Sequence, residues 1–352
     1  MIDTRPPTHA ASAGYAAPLR VLLVGGTSAG HLAPMVAVAE ALEALEPGVT
    51  LSFVCSDKPS DKAFLALEKR DAHVLPLPRR NLALPFTFAK AFAASLRILK
   101  KETPDVVFSK GSAVSVPLCY AARVRGIPVV LHESDAVMGG ANRMISRIAA
   151  KTLLGTDIGN PIRARVTSGK KEEGLRIAGL DGKKPVLLVM GGSQGARAIN
   201  ECVAADLDAI LKTCDVIHLT GAGKAVAKNK PGYHGTEFGS DVLPHFYAAT
   251  DLAVSRAGAG SIAELAACGI PAILVPIRGL ANDHQMKNAD AAEKTGATIT
   301  LPQENLSGLP ARIASLLADS VTIQTMRDRC RYAARPEASR LIAETVLRSV
   351  AR

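Results

Sequence analysis

With 352 residues, the chain exceeds what one hydrophobic core usually serves, so two domains are expected. A composition of 48% hydrophobic and 21% charged residues excludes a disordered chain, and eight Phe, five Tyr and no Trp leave aliphatic cores with little for base stacking. The formal net charge of +10 points to an anionic partner such as a phosphorylated small molecule or a membrane surface, and the aromatic shortage argues against nucleic acid. Six cysteines without a CxxC pair or zinc spacing read as reduced, mostly buried thiols, and no metal or cofactor is expected.

In chain order, residues 1–18 lack an apolar stretch behind a basic start and read as a disordered leader. Short aliphatic runs then alternate with stretches of helix length, the pattern of βα units and a parallel sheet covered on both faces. The first series is RVLLVG (Arg20 to Gly25), VTLSFVC (Val49 to Cys55), DVVFS (Asp105 to Ser109) and IPVVLHE (Ile127 to Glu133). The second is PVLLVMGG (Pro185 to Gly192), DVIHLTG (Asp215 to Gly221), DLAVSRAG (Asp251 to Gly258) and IPAILVPI (Ile270 to Ile277). Between them, residues 155–182 fit neither a strand nor a helix pattern and read as the linker. The expected organisation is therefore α/β, with two Rossmann-like parallel-sheet domains at 19–158 and 159–335. A last helix in 336–352 is expected to pack back on the first domain.

Each series opens with a strand running into a glycine turn and a helix. The first turn, Gly25 to His31, brings Thr27, Ser28, Ala29 and Gly30 to the positive end of a helix, where backbone amides approach an anion or a sugar, and sets His31 in the first helical turn. It is neither a GxGxxG nor a Walker loop. The second turn, with Ser193, Gln194 and Gly195, suits a diphosphate. Downstream, Gly258 and Ala259 open a helix that carries Glu264 about one turn in, where a carboxylate either stabilises the helix or accepts two ribose hydroxyls. Asp283, His284, Gln285 and Asn288 form a further polar cluster after a strand. All these clusters follow the carboxyl ends of strands, where open α/β sheets hold ligands.

In order along the chain, GTSAGH, the HES…GGAN run from His132 to Asn142, GNPIR (Gly159 to Arg163), GGSQGA, RAGAGSIAE and DHQxxNA resemble the MurG family of bacterial glycosyltransferases, glycosyltransferase family 28. The likeness covers about residues 20–350 and implies a GT-B fold with two domains facing a central cleft. It implies inverting, metal-independent transfer of GlcNAc from UDP-GlcNAc to lipid I, giving lipid II, by a peripheral enzyme at the cytoplasmic face of the bacterial inner membrane. By motif position, Arg163 and Ser193 would hold the diphosphate with the Ala259 turn. Glu264 would take the ribose, and His284 and Gln285 the sugar and diphosphate side. His31 and Asn142 would line the acceptor side. His31 is the expected base, with Glu133 and Asp135 as rivals.

The chain departs from the family at several of these positions. Ser28 and Thr27 stand where Thr and Gly are usual. The family's HEQN becomes His132, Glu133, Ser134, Asp135, placing a carboxylate where an amide is usual, which near a diphosphate is unfavourable unless paired. Ala113 replaces a Tyr, Val116 a Gly, and His284 a Gln. Two other readings follow from these departures: a transferase of the same fold with another acceptor, and a non-catalytic UDP-sugar-binding scaffold at the membrane.

From Arg79 to Lys101 the chain carries Arg79, Arg80, Lys90, Arg97, Lys100 and Lys101, no acidic residue, and apolar side chains that include Phe86 and Phe88. Such interleaving suits an interface with anionic lipid, each basic residue near the surface contributing on the order of 1 kcal/mol.

Overall fold

A computed structural model describes residues 18–26, 29–78, 84–192, 195–224, 230–237, 241–279 and 283–350. The expected leader up to residue 17, together with Thr27, Ser28, Arg79, Arg80, Ser193 and Gln194, lies outside the described residues, and of Ala29 the backbone alone is described.

Among the described residues, twelve strands form two six-stranded parallel sheets. The first contains β1 (Arg20–Val24), β2 (Thr50–Ser56), β3 (Ala72–Leu75), β4 (Val106–Ser109), β5 (Val129–Glu133) and β6 (Lys151–Leu154), in the order β3-β2-β1-β4-β5-β6. The second contains β7 (Val186–Met190), β8 (Asp215–Leu219), β9 (Tyr233–Thr236), β10 (Leu252–Ser255), β11 (Ala272–Leu274) and β12 (Thr298–Thr300), in the order β12-β11-β10-β7-β8-β9. Each is the doubly wound order in which the chain reverses direction across the sheet, beside β1 and β4 in one and β7 and β10 in the other.

The central strands are aliphatic throughout because both sheet faces are covered. In β1, Val21 and Leu23 enter one apolar cluster and Leu22 and Val24 another. In β7, Leu187 and Val189 face one core and Val186, Leu188 and Met190 the other. This is the two-residue alternation of a pleated strand. Of the six cysteines, all free, four are buried and two partly buried.

Residues 155–182 are more ordered than the sequence suggests. They contain helices Gly155–Ile158 and Lys171–Ala178 and a 3-10 turn at Ala164–Thr167. Gly174 hid the second helix from a propensity reading, yet packing requires it: a Cβ there would lie 2.1 Å from the carbonyl oxygen of His245.

The helix Ala338–Arg348 leaves the second sheet and docks on the first unit, where Ile342, Ala343 and Val346 share a cluster with Val21, Met35, Val38 and Leu42. Its entry runs beside the chain's other crossing. Ser339 Oγ donates to the carbonyl of Ile162 at 2.8 Å, and Gly159 (φ 91°) sits so close to Arg335 that a Cβ would meet its side chain at 2.3 Å.

Candidate active site

The carboxyl end of β5 and the helices that follow β1, β10 and β11 bring His31, Asp135, Ala259, His284 and Asn288 to the boundary between the units. At the end of β5, Glu133 is 5% exposed and accepts hydrogen bonds from Asp135 N (2.9 Å), Gly139 N (3.1 Å) and Asn142 Nδ2 (2.8 Å). Both carboxylate oxygens thus hold their own loop, which gives Glu133, expected as a rival to His31 for the base, an anchoring position. Asn142, expected to line the cleft, is likewise enclosed at 6% exposure beneath the Gly111 turn, where a Cβ on Gly111 would fall 2.1 Å from its Oδ1.

The loop anchored by Glu133 meets the second unit. Asn288, in the helix His284–Glu293, donates through Nδ2 to Asp135 Oδ1 (2.9 Å) and Ala257 O (3.1 Å), while its Oδ1 accepts from Ala136 N (2.8 Å). Its amide is therefore fully engaged, and it joins the two units where a contact with substrate was expected. Asn160 Nδ2 does related work between Ser134 O (3.2 Å) and Ala259 O (3.4 Å). A cavity of about 520 Å³ opens between the units, lined among others by Ser134, Thr156, Asn160, Ala259, Ile262 and Asn288.

Arg163 is also placed differently from expectation. Its Nε and Nη2 reach Glu40 Oε1 (3.0 and 2.6 Å) and its Nη1 reaches Glu68 Oε1 (2.5 Å). The guanidinium is neutralised by two carboxylates of the first unit and is not presented to a diphosphate in this structure.

His31 occupies the first turn of the helix Ala29–Leu45 and is half-buried. Burial and the charge of Lys110, with a smaller push from His284 of the second unit, lower its pKa to about 4, against the opposing pull of Asp135 and Asp61. The imidazole therefore sits where charged groups of both units converge, and it is neutral at physiological pH. Gly30, beside it, is exposed.

On the opposite side, Gly258 caps the helix Ala259–Ala267, and Glu264 stands in its second turn. The Tyr247 hydroxyl donates to Glu264 Oε2 at 2.8 Å. Burial raises the carboxyl pKa and the Tyr247 bond counters it. Gln285 Oε1 accepts from Ile277 N at 3.2 Å and so ties down the turn before its own helix. Gly195 (φ 66°) is fixed by close approach, since a Cβ would lie 2.1 Å from the carbonyl oxygen of Thr220.

Sequence reasoning overlooked Lys110. It directly follows β4, is 1% exposed, and donates from Nζ to Ser134 Oγ. Burial lowers its pKa to about 8, while Glu133 and Asp135 hold it up. FSKGS repeats the strand-then-glycine pattern used elsewhere to find the site, and that was the available signal.

Residues 21–154 match the glycosyltransferase family 28 N-terminal domain and residues 186–343 the family's C-terminal domain. A relative from Clostridium kluyveri, a UDP-N-acetylglucosamine--N-acetylmuramyl-(pentapeptide) pyrophosphoryl-undecaprenol N-acetylglucosamine transferase, is 35% identical over 311 residues, covering 82% of this chain and 88% of its own. The chain belongs to glycosyltransferase family 28. A second relative of the same description, from Clostridium tetani, is 32% identical over 82% of this chain and 86% of its own. In fold, this family 28 chain superposes on Acinetobacter baumannii MurG with a TM-score of 0.74 at 24% identity, covering 94% of this chain and 99% of that one. It also superposes on Neisseria meningitidis UDP-GlcNAc 2-epimerase with a TM-score of 0.65 at 16% identity, covering 94% and 100%. The arrangement is the GT-B fold.

A proton NMR titration should place the His31 midpoint near the value of about 4, so that the ring is neutral at pH 6. Because the folded-state value lies below the unfolded value of about 6.5, the unfolded chain binds more protons between them, and stability falls as pH drops through that window. A midpoint at or above that of a free imidazole would contradict the placement.

Proposed function

We propose that the chain transfers GlcNAc from UDP-GlcNAc to lipid I, with inversion at the sugar and without a metal ion, and so produces lipid II for peptidoglycan. The names of its family 28 relatives support the substrates, and the geometry supports the site. The observation that carries the reading is the meeting of both units at one boundary, where Asn288 bonds Asp135 and Ala136 and where His31 feels the charge of His284.

The amide groups at the start of Ala259–Ala267 supply the positive end that a diphosphate needs, and Glu264, oriented by Tyr247, accepts the ribose hydroxyls. The acceptor hydroxyl attacks the anomeric carbon as the bond from that carbon to the diphosphate oxygen breaks. The hydroxyl proton passes to a base, and UDP leaves with its new negative charge facing the helix start. His31 is the base in this reading: its unprotonated ring can accept the proton, although a pKa of about 4 makes it a weak base. Asp135 is its rival, placed at the cleft with Asn288 on one oxygen. Turnover with UDP-GlcNAc and lipid I should release UDP and label the lipid, and an inert protein would overturn the assignment. Glu264→Ala should weaken UDP binding by about 1–3 kcal/mol in calorimetry, and unchanged affinity would remove Glu264 from the donor site.

We further propose peripheral attachment to the cytoplasmic face of the bacterial inner membrane through the helix Leu84–Glu102. Among the described residues no helix is long and apolar enough to cross a membrane. Phe86 is 79% exposed and Leu84 is exposed beside it, with Lys90, Arg97, Lys100 and Lys101 on the surface of the same helix. Phe88 is only half-buried, but it turns inward to stack on Phe92 at 6.4 Å and rests against the core, so it adds little to the outer patch. Replacing Arg97, Lys100 and Lys101 with Gln should reduce co-sedimentation with anionic vesicles while UDP affinity holds. Equal sedimentation would return the helix to an ordinary solvated surface.

A further inference from the structure

Lys110 is a buried cation that the proposed reaction has not used. The residue is 1% exposed, its backbone N–H is tied to Val24 O (2.9 Å), and its side chain runs beneath the Gly25 turn, where a Cβ on Gly25 would lie 3.3 Å from Lys110 Cβ. Its ammonium ends on Ser134 Oγ. Ser134 in turn lines the inter-unit cavity, and its carbonyl shares Asn160 Nδ2 with that of Ala259, which places Ser134 beside the helix start assigned to the diphosphate.

An ammonium has three donors and no acceptor, whereas a hydroxyl has one donor and two acceptor positions. When Lys110 donates to Ser134 Oγ, the hydroxyl proton of Ser134 cannot point back at Lys110 and is directed elsewhere. We propose that Lys110 is a positioning residue acting through Ser134, committing the Ser134 hydroxyl as a hydrogen-bond donor to an oxygen of the leaving diphosphate. This rests on the transferase reading above and adds a residue pair to it. A donor aimed at an oxygen that gains charge as the bond breaks stabilises the transition state more than the bound substrate.

The arrangement is sensitive to pH. The charged groups around Lys110 are Glu133 and Asp135 from the end of β5, which favour the ammonium against burial. Its charge also reaches His132 on β5 and His31 on the helix after β1, and His31 is further influenced by Asp61 and, from the second unit, by His284. As pH rises through about 8 the amine loses its proton and becomes able to accept, so the Ser134 hydroxyl can turn inward. The commitment of the Ser134 hydroxyl as a donor is therefore enforced below that pH and relaxed above it.

The test is a double-mutant cycle in the GlcNAc-transfer assay, with UDP affinity and melting temperature read on each preparation. Lys110→Met and Ser134→Ala should each lower kcat about tenfold with KM changed by less than about twofold, and the double variant should fall no further than the worse single one. Losses that multiply to about 100-fold would show independent roles and overturn the coupling. The wild type should show an alkaline limb in kcat near pH 8 that Ser134→Ala lacks. A limb retained in Ser134→Ala overturns the proposal even where Lys110→Met does not fold, and Lys110→Arg, which stays charged, should also abolish it. A wild type without transfer activity would overturn the transferase reading itself, whereas an active wild type with multiplicative losses overturns only the Lys110–Ser134 coupling.

Discussion

The cleft depends on one buried carboxylate. Glu133 gathers two backbone N–H groups and the Asn142 amide of its own loop, and a carboxylate enclosed to 5% exposure is tolerable only with such partners. Those bonds fix the path of residues 134–139. On that path sit Ser134, which receives Lys110 and whose carbonyl receives Asn160, then Asp135 and Ala136, which meet Asn288. Were Glu133 free to act as a base, the loop would lose its anchor. What Glu133 sets is the position of its neighbours.

Charge balance follows from the same loop. A carboxylate at Asp135 close to a diphosphate would repel it, and the structure offsets this with the Asn288 amide on one oxygen and the field of Lys110 beneath. The same Lys110 charge, added to burial, keeps His31 unprotonated. Glu40, further down the first helix, and Glu68, at the end of the helix Pro59–Leu67, take up Arg163 and bind the crossing segment to the first unit. The polar side chains at the boundary therefore include those that hold the units together, Asn160, Arg163 and Asn288.

The central strands were legible because a strand covered on both faces must be a continuous aliphatic run, and all eight such runs became β1, β2, β4, β5, β7, β8, β10 and β11. The four strands missed were β3, β6, β9 and β12. They are outer strands of three or four residues, such as YHGT and TIT, whose mixed composition carries no such signature. Glycine turns and the HES run stood out because they follow the carboxyl ends of parallel strands, where open α/β sheets hold ligands, and the HES run does meet the second unit there. The partner of each side chain was not legible. Asn142 and Asn288 are polar residues in a motif either way, and only the folded chain brings Glu133 to one and Asp135 with Ala136 to the other. Lys110 was passed over because a single lysine after a strand reads as a solvated end, while its burial comes from residues distant in sequence.

The proposed transfer requires the donor to touch both units at once, with its diphosphate between the start of the Ala259–Ala267 helix and Ser134. Amide hydrogen exchange with and without UDP-GlcNAc tests that requirement most directly. Protection is predicted both at the start of the Ala259–Ala267 helix in the second unit and along residues 134–139 in the first. Protection confined to one unit, or its absence from the helix start, would contradict a catalytic cleft between them.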